Sequence, residues 1–364
     1  MLTIDLQRLS NLGSINRADY RLDTIDSDVV VTFDVEEVRT LLPVLNLGAV
    51  EGNTFAEIGF TDINWGGKGH QVSASYQNND SRHGGKFFFL NPRIKNGNWG
   101  VSGSLSSWAS REPLFFSDQT VIYNYDNDGI GLSVIRHLDY SRNILFGVTY
   151  FVETYDKFGE AEASFDGPIF LQQAKWLSKL IYSQNKVNSY FFYLNGTKFH
   201  SNFQSVYNTF DNTLFLSFQF QLSNYVRVGK KANIANQIRI GLASNSDSPF
   251  APFVADSHIN IRGIGNRIDR GTAQIIINSE YRQTVLHKKK WAIQVTAFSD
   301  MGTWRNPGGE LKDLLNPDQF RLFVGGGVRF IYHRIYGAIL RIDYGIDQFN
   351  PSQRGLVIGL GQFF

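Results

Sequence analysis

The chain has no cysteine, only two methionines and nine prolines, and no unbroken apolar run long enough to cross a bilayer as a helix. Zero cysteine excludes disulfide frameworks and thiolate metal sites. Charge of one sign is also missing: the formal net charge of +2 is too small to argue for a nucleic-acid partner. The seven histidines are scattered, with no His-Glu-x-x-His and no pair at ligand spacing, so no metal is expected. No Gly-x-Ser-x-Gly elbow occurs. Gly263-x-Gly265 lacks the third glycine and the strand-to-helix setting of a dinucleotide fingerprint. The amino terminus, Met1-Leu-Thr-Ile-Asp-Leu6, has no basic segment, apolar core or small-residue cleavage site, so no signal peptide is expected within this sequence. Nothing here reads as an enzyme, and no cofactor is implied.

What is abundant points elsewhere. Hydrophobic residues make up 42% of the chain and aromatics 14%, with 30 Phe, 16 Tyr and 34 Gly. Mean hydropathy is nevertheless slightly negative, which fits strands that are apolar on one face only. Leu214, Leu216, Phe218, Phe220 and Leu222 alternate with Phe215, Ser217, Gln219 and Gln221. Ala174, Trp176, Leu180 and Tyr182 share a parity opposite Lys175 and Lys179. Leu322, Val324, Val328 and Phe330 alternate with Arg321 and Arg329, and Ala338, Leu340, Ile342 and Tyr344 with Arg341 and Asp343. In a soluble sandwich the apolar parity would face a core; in a membrane barrel it faces lipid, and the polar parity faces the lumen.

The count of segments and the closing residues separate these cases. Alternating segments begin near residues 53, 70, 85, 98, 119, 130, 143, 169, 187, 212, 235, 270, 290, 319, 335 and 354. That even number is what a barrel with both ends on one side of a membrane requires. Connections are short at Asp139–Ser141 and Gln184–Val187, and long around Tyr155–Pro168, Asn245–Asp269 and Thr303–Asp318. The last ten residues, Gly355 to Phe364, alternate and end on an aromatic. An unpaired apolar edge of this kind invites aggregation in water. The prediction is an all-β protein: a transmembrane antiparallel β-barrel of sixteen strands over residues 51–364, with Phe364 in an aromatic girdle. Residues 1–50 are predicted to form a small periplasmic segment, with a short helix over Leu6–Ile15 and strands at Tyr20–Leu22 and Val29–Glu36. The setting is the bacterial outer membrane, which implies a precursor with a signal peptide.

Three motifs lie in order near the carboxy end: Ile261-Arg262-Gly263-Ile264-Gly265, Gly271 through Glu280-Tyr281-Arg282, and Phe298-Ser299-Asp300-Met301-Gly302. With Asp62-Ile-Asn64-Trp65-Gly66 and Leu340-Arg341-Ile342-Asp343-Tyr344-Gly345, they resemble the motifs of the BamA/TpsB outer-membrane superfamily. The resemblance implies that the long loop after the eleventh strand folds into the lumen, where Arg262 meets acidic residues of the next two strands. Parity agrees: Glu280 lies with Gln274 and Asn278, and Asp300 with Gln294, Thr296 and Phe298. Both carboxylates should face inward, where a guanidinium can be held bidentately. Gly263 and Gly265 would let the loop turn sharply or approach the wall.

The family pattern is incomplete in two places. Residues 2–40 resemble only the closing half of a POTRA module. Gln362 also stands where the closing signal normally has a hydrophobic residue, although Gly359 and Phe364 match. The resemblance implies insertion or translocation of proteins or lipids at the outer membrane through a seam between first and last strands. There Gly359 and Gly361 would either weaken strand packing or relieve crowding. Expected partners are the outer-membrane lipid bilayer and client outer-membrane or secreted proteins; accessory subunits are not identified. A passive pore, and the barrel anchor of a larger protein, are the alternatives. Lys230-Lys231 and Lys288-Lys289-Lys290 fall on periplasmic turns, either solvated or near anionic headgroups.

Overall fold

Successive side chains of a strand point to opposite sides of a sheet, so the alternation above becomes a two-sided wall once the strands pair. The computed structural model describes residues 2–26, 28–50, 53–79, 82–115, 120–159, 167–190, 193–248, 251–257, 259–265, 269–332, 334–335 and 338–364. Helix α1 (Leu2–Ser10) leads into a hairpin of β1 (Ile15–Ile25) and β2 (Asp28–Glu37). The wall begins with β3 (Leu41–Val50), β4 (Asn53–Trp65), β5 (His70–Asn79), β6 (Arg82–Asn91), β7 (Trp99–Phe115) and β8 (Thr120–His137). It continues through β9 (Arg142–Lys157), β10 (Phe170–Tyr190), β11 (Tyr193–Asn208), β12 (Leu214–Val228) and β13 (Ala232–Ala243). A long loop follows, holding the small pair β14 (Phe253–Ala255) and β15 (Asp269–Gly271). Last come β16 (Ala273–His287), β17 (Trp291–Arg305), β18 (Arg321–Tyr332), β19 (Ile339–Asp347) and β20 (Arg354–Leu360). Apart from the hairpin and the small pair, these strands close into one antiparallel barrel of 16 strands, in which β20 pairs with β3.

The wall is apolar outside and polar inside. Leu132 is 68% exposed, Phe146 54% and Leu180 49%, all on the outer parity. The largest fully buried side chains are instead arginines: Arg262, Arg282 and Arg329. Leaving one large apolar side chain in water forgoes roughly 1.5–3 kcal/mol, so an outer surface of this kind belongs in lipid. The connections at the end that holds both chain termini are short, such as 138–141 and 288–290. Those at the opposite end include 158–169, 244–272 and 306–320.

The expected strand count holds, but three assignments differ. The barrel starts at Leu41 rather than residue 51. Leu-Leu-Pro-Val-Leu-Asn-Leu-Gly-Ala-Val is apolar on both parities and contains a proline, so it shows no period of two. Pro43 is tolerated because β20 reaches only residues 46–48 of β3, leaving the Pro43 end at an edge. Conversely, the segments expected at 119 and 130 are one strand, β8, whose Asp126, Asp128 and Gly129 resemble a turn in sequence. Ile58 therefore pairs with Leu45 on β3 and does not border β20. The expected turn Gln184–Val187 lies inside β10; the true connection, 191–192, is outside the described residues.

Helix α1 begins and ends earlier than expected, because residues 11–14 form turns and Ile15 already starts β1. It lies against the terminal end of the barrel. The Ser189 amide donates to Asn11 Oδ1 (3.0 Å), Gln7 Nε2 donates to the Ser189 carbonyl (3.2 Å), and the Arg8 guanidinium lies 4.4 Å from the centre of the Tyr140 ring.

Candidate functional site

The loop between β13 and β16 organises its own tip. The Asp256 side chain accepts from the Ile259 amide (2.7 Å), its carbonyl accepts from the Ile261 amide (2.9 Å), and the Gly265 amide donates to Ser257 Oγ (2.7 Å). Gly263 and Gly265 have φ of +95° and +119°, which L side chains rarely adopt. Ile261 and Ile264 pack with Phe253, Ile276, Trp304 and Phe323 in a buried apolar cluster. Gly302 makes room for that cluster: a Cβ there would lie 2.7 Å from Ile261 Cδ1 and 2.6 Å from the Trp304 ring. The tip then seats on a lane of glycines. A Cβ on Gly263 would lie 2.7 Å from the Gly345 carbonyl oxygen, and one on Gly355 would lie 2.9 Å from that of Gly263.

This seating aims Arg262 at the inner faces of β16 and β17. Its backbone amide and Nε donate to Asp300 Oδ2 (3.0 and 2.8 Å), and Nη2 donates to Asp300 Oδ1 (2.9 Å). Nη1 donates to Glu280 Oε2. Arg262, Glu280 and Asp300 are all fully buried at the side chain. The Phe298 ring centre lies 3.7 Å from the guanidinium carbon. The structure thus brings together Arg262, Glu280, Phe298 and Asp300, with Ile261, Gly263, Ile264, Gly265 and Gly302 shaping the seat.

Several partners were not singled out from the sequence. Arg282 Nε donates to Glu280 Oε1 (2.6 Å), Arg329 bridges Glu280 (3.2 Å) and Asp343 (2.7 Å), and Asn278 Nδ2 donates to Asp300 Oδ1 (2.9 Å). Their signal was present, since each charge sits on the inner parity of its strand. In so dry a setting unpaired charges are costly and paired ones are strongly held. The cluster can therefore fix a loop, but its carboxylates are committed to guanidinium groups and none is placed for proton transfer.

Of the closing residues, Phe364 departs from expectation. Gly359 lies opposite Arg341 on β19, and a Cβ there would meet Arg341 Nε at 2.8 Å. Its lack of a side chain accommodates that arginine. Gly361 has φ +86° and ends the extended run. Beyond it the chain turns into the lumen, so Phe364 does not join an outer girdle: its carbonyl accepts from Arg282 Nη2 at 3.0 Å. Gln362 Oε1 accepts from Arg329 Nε (3.3 Å), which gives the polar residue at this position a buried partner. Phe363 puts its ring centre 4.3 Å from the Arg262 guanidinium carbon and 5.0 Å from that of Arg341. Because the Arg262 N–H groups are engaged in the guanidinium plane, Phe298 and Phe363 take its two faces.

A closed antiparallel barrel, apolar outside and charged within, is the architecture of an outer-membrane barrel. Residues 64–364 match the Omp85 superfamily domain, and the chain belongs to that superfamily. Its fold is similar to BamA from Haemophilus ducreyi lacking POTRA domains 1–3, at 13% identity and a TM-score of 0.63, over 99% of this chain and 78% of that one. CdiB from Acinetobacter baumannii is similar at 13% identity and 0.60, over 96% of this chain and 66% of that one. CdiB from Escherichia coli is similar at 10% identity and 0.61, over 98% and 68%. The chain matches no curated protein sequence.

Proposed function

We propose that this protein inserts or translocates proteins or lipids at the bacterial outer membrane, acting mechanically through its β3–β20 seam. In this reading the terminal end faces the periplasm, and the loop seated through Arg262 braces the wall beside the seam. The observation that carries it is the pairing at closure. Strands β20 and β3 share three register pairs, Gly48–Val357, Leu47–Ile358 and Asn46–Gly359, while β3 and β4 pair along all of Leu41–Val50. Strand length supports it too. At about 3.4 Å per residue and a tilt of 35–45°, the 7 residues of β20 cover roughly 17–20 Å, short of an apolar band about 25 Å tall. A passive pore is less well supported, because Arg262 is held by Asp300 on the inner wall and Phe363 lies against its guanidinium.

The test is a cysteine lock across the true seam, Leu47→Cys with Ile358→Cys. These residues are register partners, so their Cα atoms fall within disulfide reach, about 4.5–5.5 Å apart. The native chain has no cysteine to compete. The oxidised protein should keep its heat-dependent gel mobility and lose outer-membrane assembly activity, with reduction restoring it. Full activity while oxidised would rule out opening at this seam.

A further inference from the structure

We propose that a cleft on the terminal rim, between the β12–β13 and β16–β17 turns, binds the phosphodiester headgroup of an anionic phospholipid in the periplasmic leaflet. The cleft has a volume of about 340 Å³ and is lined by Tyr190, Tyr193, Arg227, Lys230, Lys231 and Val285, among others, with no carboxylate. The two turns are tied together, the Thr284 amide donating to the Lys231 carbonyl (2.8 Å) and Tyr193 Oη to Thr284 Oγ1 (2.8 Å). Arg227 is positioned by both tyrosine rings, at 5.5 Å from each centre. The β16–β17 turn bordering the cleft carries Lys288, Lys289 and Lys290.

Charge accounting separates this cleft from the lumen. Inward-facing Lys175 is paired with Glu153 at 2.6 Å, and the lumenal Arg262 with Glu280 and Asp300. Among the described residues, Arg227, Lys230 and Lys231 have no carboxylate partner. Clustered cations without counter-charges repel one another, so an anion bound among them is favoured. A guanidinium held flat and two mobile ammonium groups suit phosphate oxygens.

The neighbours say where that anion comes from. Val226 (44% exposed), Val228 (39%), Val285 (55%) and Trp291 (42%) lie on the outer surface directly beside these turns. Lys230 and Lys231 therefore begin where the lipid-facing surface ends, which is the level of headgroups, and Arg227, on the inner parity of β12, lines the lumenal side of the rim. Lysine stems can lie along the valines while the ammonium reaches phosphate. The inference rests on the membrane placement above but not on seam opening, so a working seam lock and a failed lipid test are independent results.

The test uses the purified full chain in nanodiscs of equimolar phosphatidylcholine and phosphatidylglycerol. The readout is the motionally restricted fraction of spin-labelled phosphatidylglycerol, with spin-labelled phosphatidylcholine as reference. The wild type should restrict phosphatidylglycerol preferentially. Lys230→Gln with Lys231→Gln should lower that preference about five-fold per cation, about 25-fold for the pair. Lys68→Gln with Lys95→Gln, the same charge change on other turns of this rim, should leave it unchanged. Arg227→Lys keeps the charge and should lower it partly, which guards against a folding defect in the double variant. Equal loss in the control pair would reduce the effect to net charge and overturn the site. Displacement of the lipid by millimolar inorganic phosphate would assign the cleft to a soluble anion instead.

Discussion

Gly263 and Gly345 meet backbone to backbone: a methyl on the first would lie 2.7 Å from the carbonyl oxygen of the second, beside the buried Arg262. The loop is therefore held by shape as well as by charge, and the two contributions can be tested apart.

Arg262→Ala removes the charge contribution. Breaking a buried ion pair typically costs about 3–5 kcal/mol because a charge is stranded. Here Glu280 would keep Arg282 and Arg329, and Asp300 would keep Asn278, so about half that cost is expected. Limited proteolysis should cut within residues 244–272 while the barrel keeps its heat-dependent mobility. Arg262→Lys should rescue partly, since one ammonium cannot grip two carboxylates as a planar fork does. Asp300→Asn should behave like Arg262→Ala, and combining them should add little. Additive losses would mean that these residues do not act as one unit.

Gly345→Ala tests shape without altering charge. The added methyl meets the Arg262 backbone, which cannot swing aside, so overpacking of about 1–3 kcal/mol is expected along with the same loop cleavage. Gly359→Ala is the counterpart, because its methyl meets the far end of the Arg341 side chain rather than backbone. Its cost should stay below about 1 kcal/mol. Equal proteolysis patterns for the two variants would show that the loop is not seated on Gly345.

Phe363→Leu keeps most of the apolar contact but removes the ring over Arg262. A desolvated cation–π contact is worth about 2 kcal/mol, so the loop should become cleavable, though less readily than in Arg262→Ala. A loop as protected as in the wild type would assign Phe363 to packing alone.

Acid should open the turn between β8 and β9. The Ser141 amide (2.7 Å) and the Arg142 side chain (2.6 Å) donate to Asp139, holding its carboxyl well below the ordinary aspartate value. A depressed folded-state pKa means the stabilisation is fully present above the unfolded value, about 3.9, and is lost as pH falls below it. Asp139→Asn should remove this acid dependence of turn opening, measured by hydrogen exchange at Ser141 and Arg142. An unchanged pH profile would place the acid response elsewhere.

Much of this architecture was legible because a barrel wall writes its two sides into alternate residues. Leu214 to Leu222 and the inward parity of Glu280 and Asp300 needed only a period of two. Residues 41–50 were not legible: a strand that is apolar on both parities, with a proline, has no period to detect. Strand β8 misled in the opposite way, since Asn124, Asp126 and Asp128, on its outer parity, have the composition of a turn. Parity also placed Phe363 on the inner side, but an extended strand would have kept it in the wall. Only the backbone at Gly361 carries it across to Arg262, and a positive φ has no unique signature in a glycine-rich chain.

The tail beyond Gly361 also imposes an order of events in time. Phe363 can cover Arg262 only after the final strand has joined β19 and the loop has already reached its seat. Burial of that ring therefore reports that both have happened, much as a keystone marks the last course of an arch. During refolding, loop protection and heat-resistant mobility should arise together in the wild type. A chain truncated after Leu360 should gain the second with the first reduced.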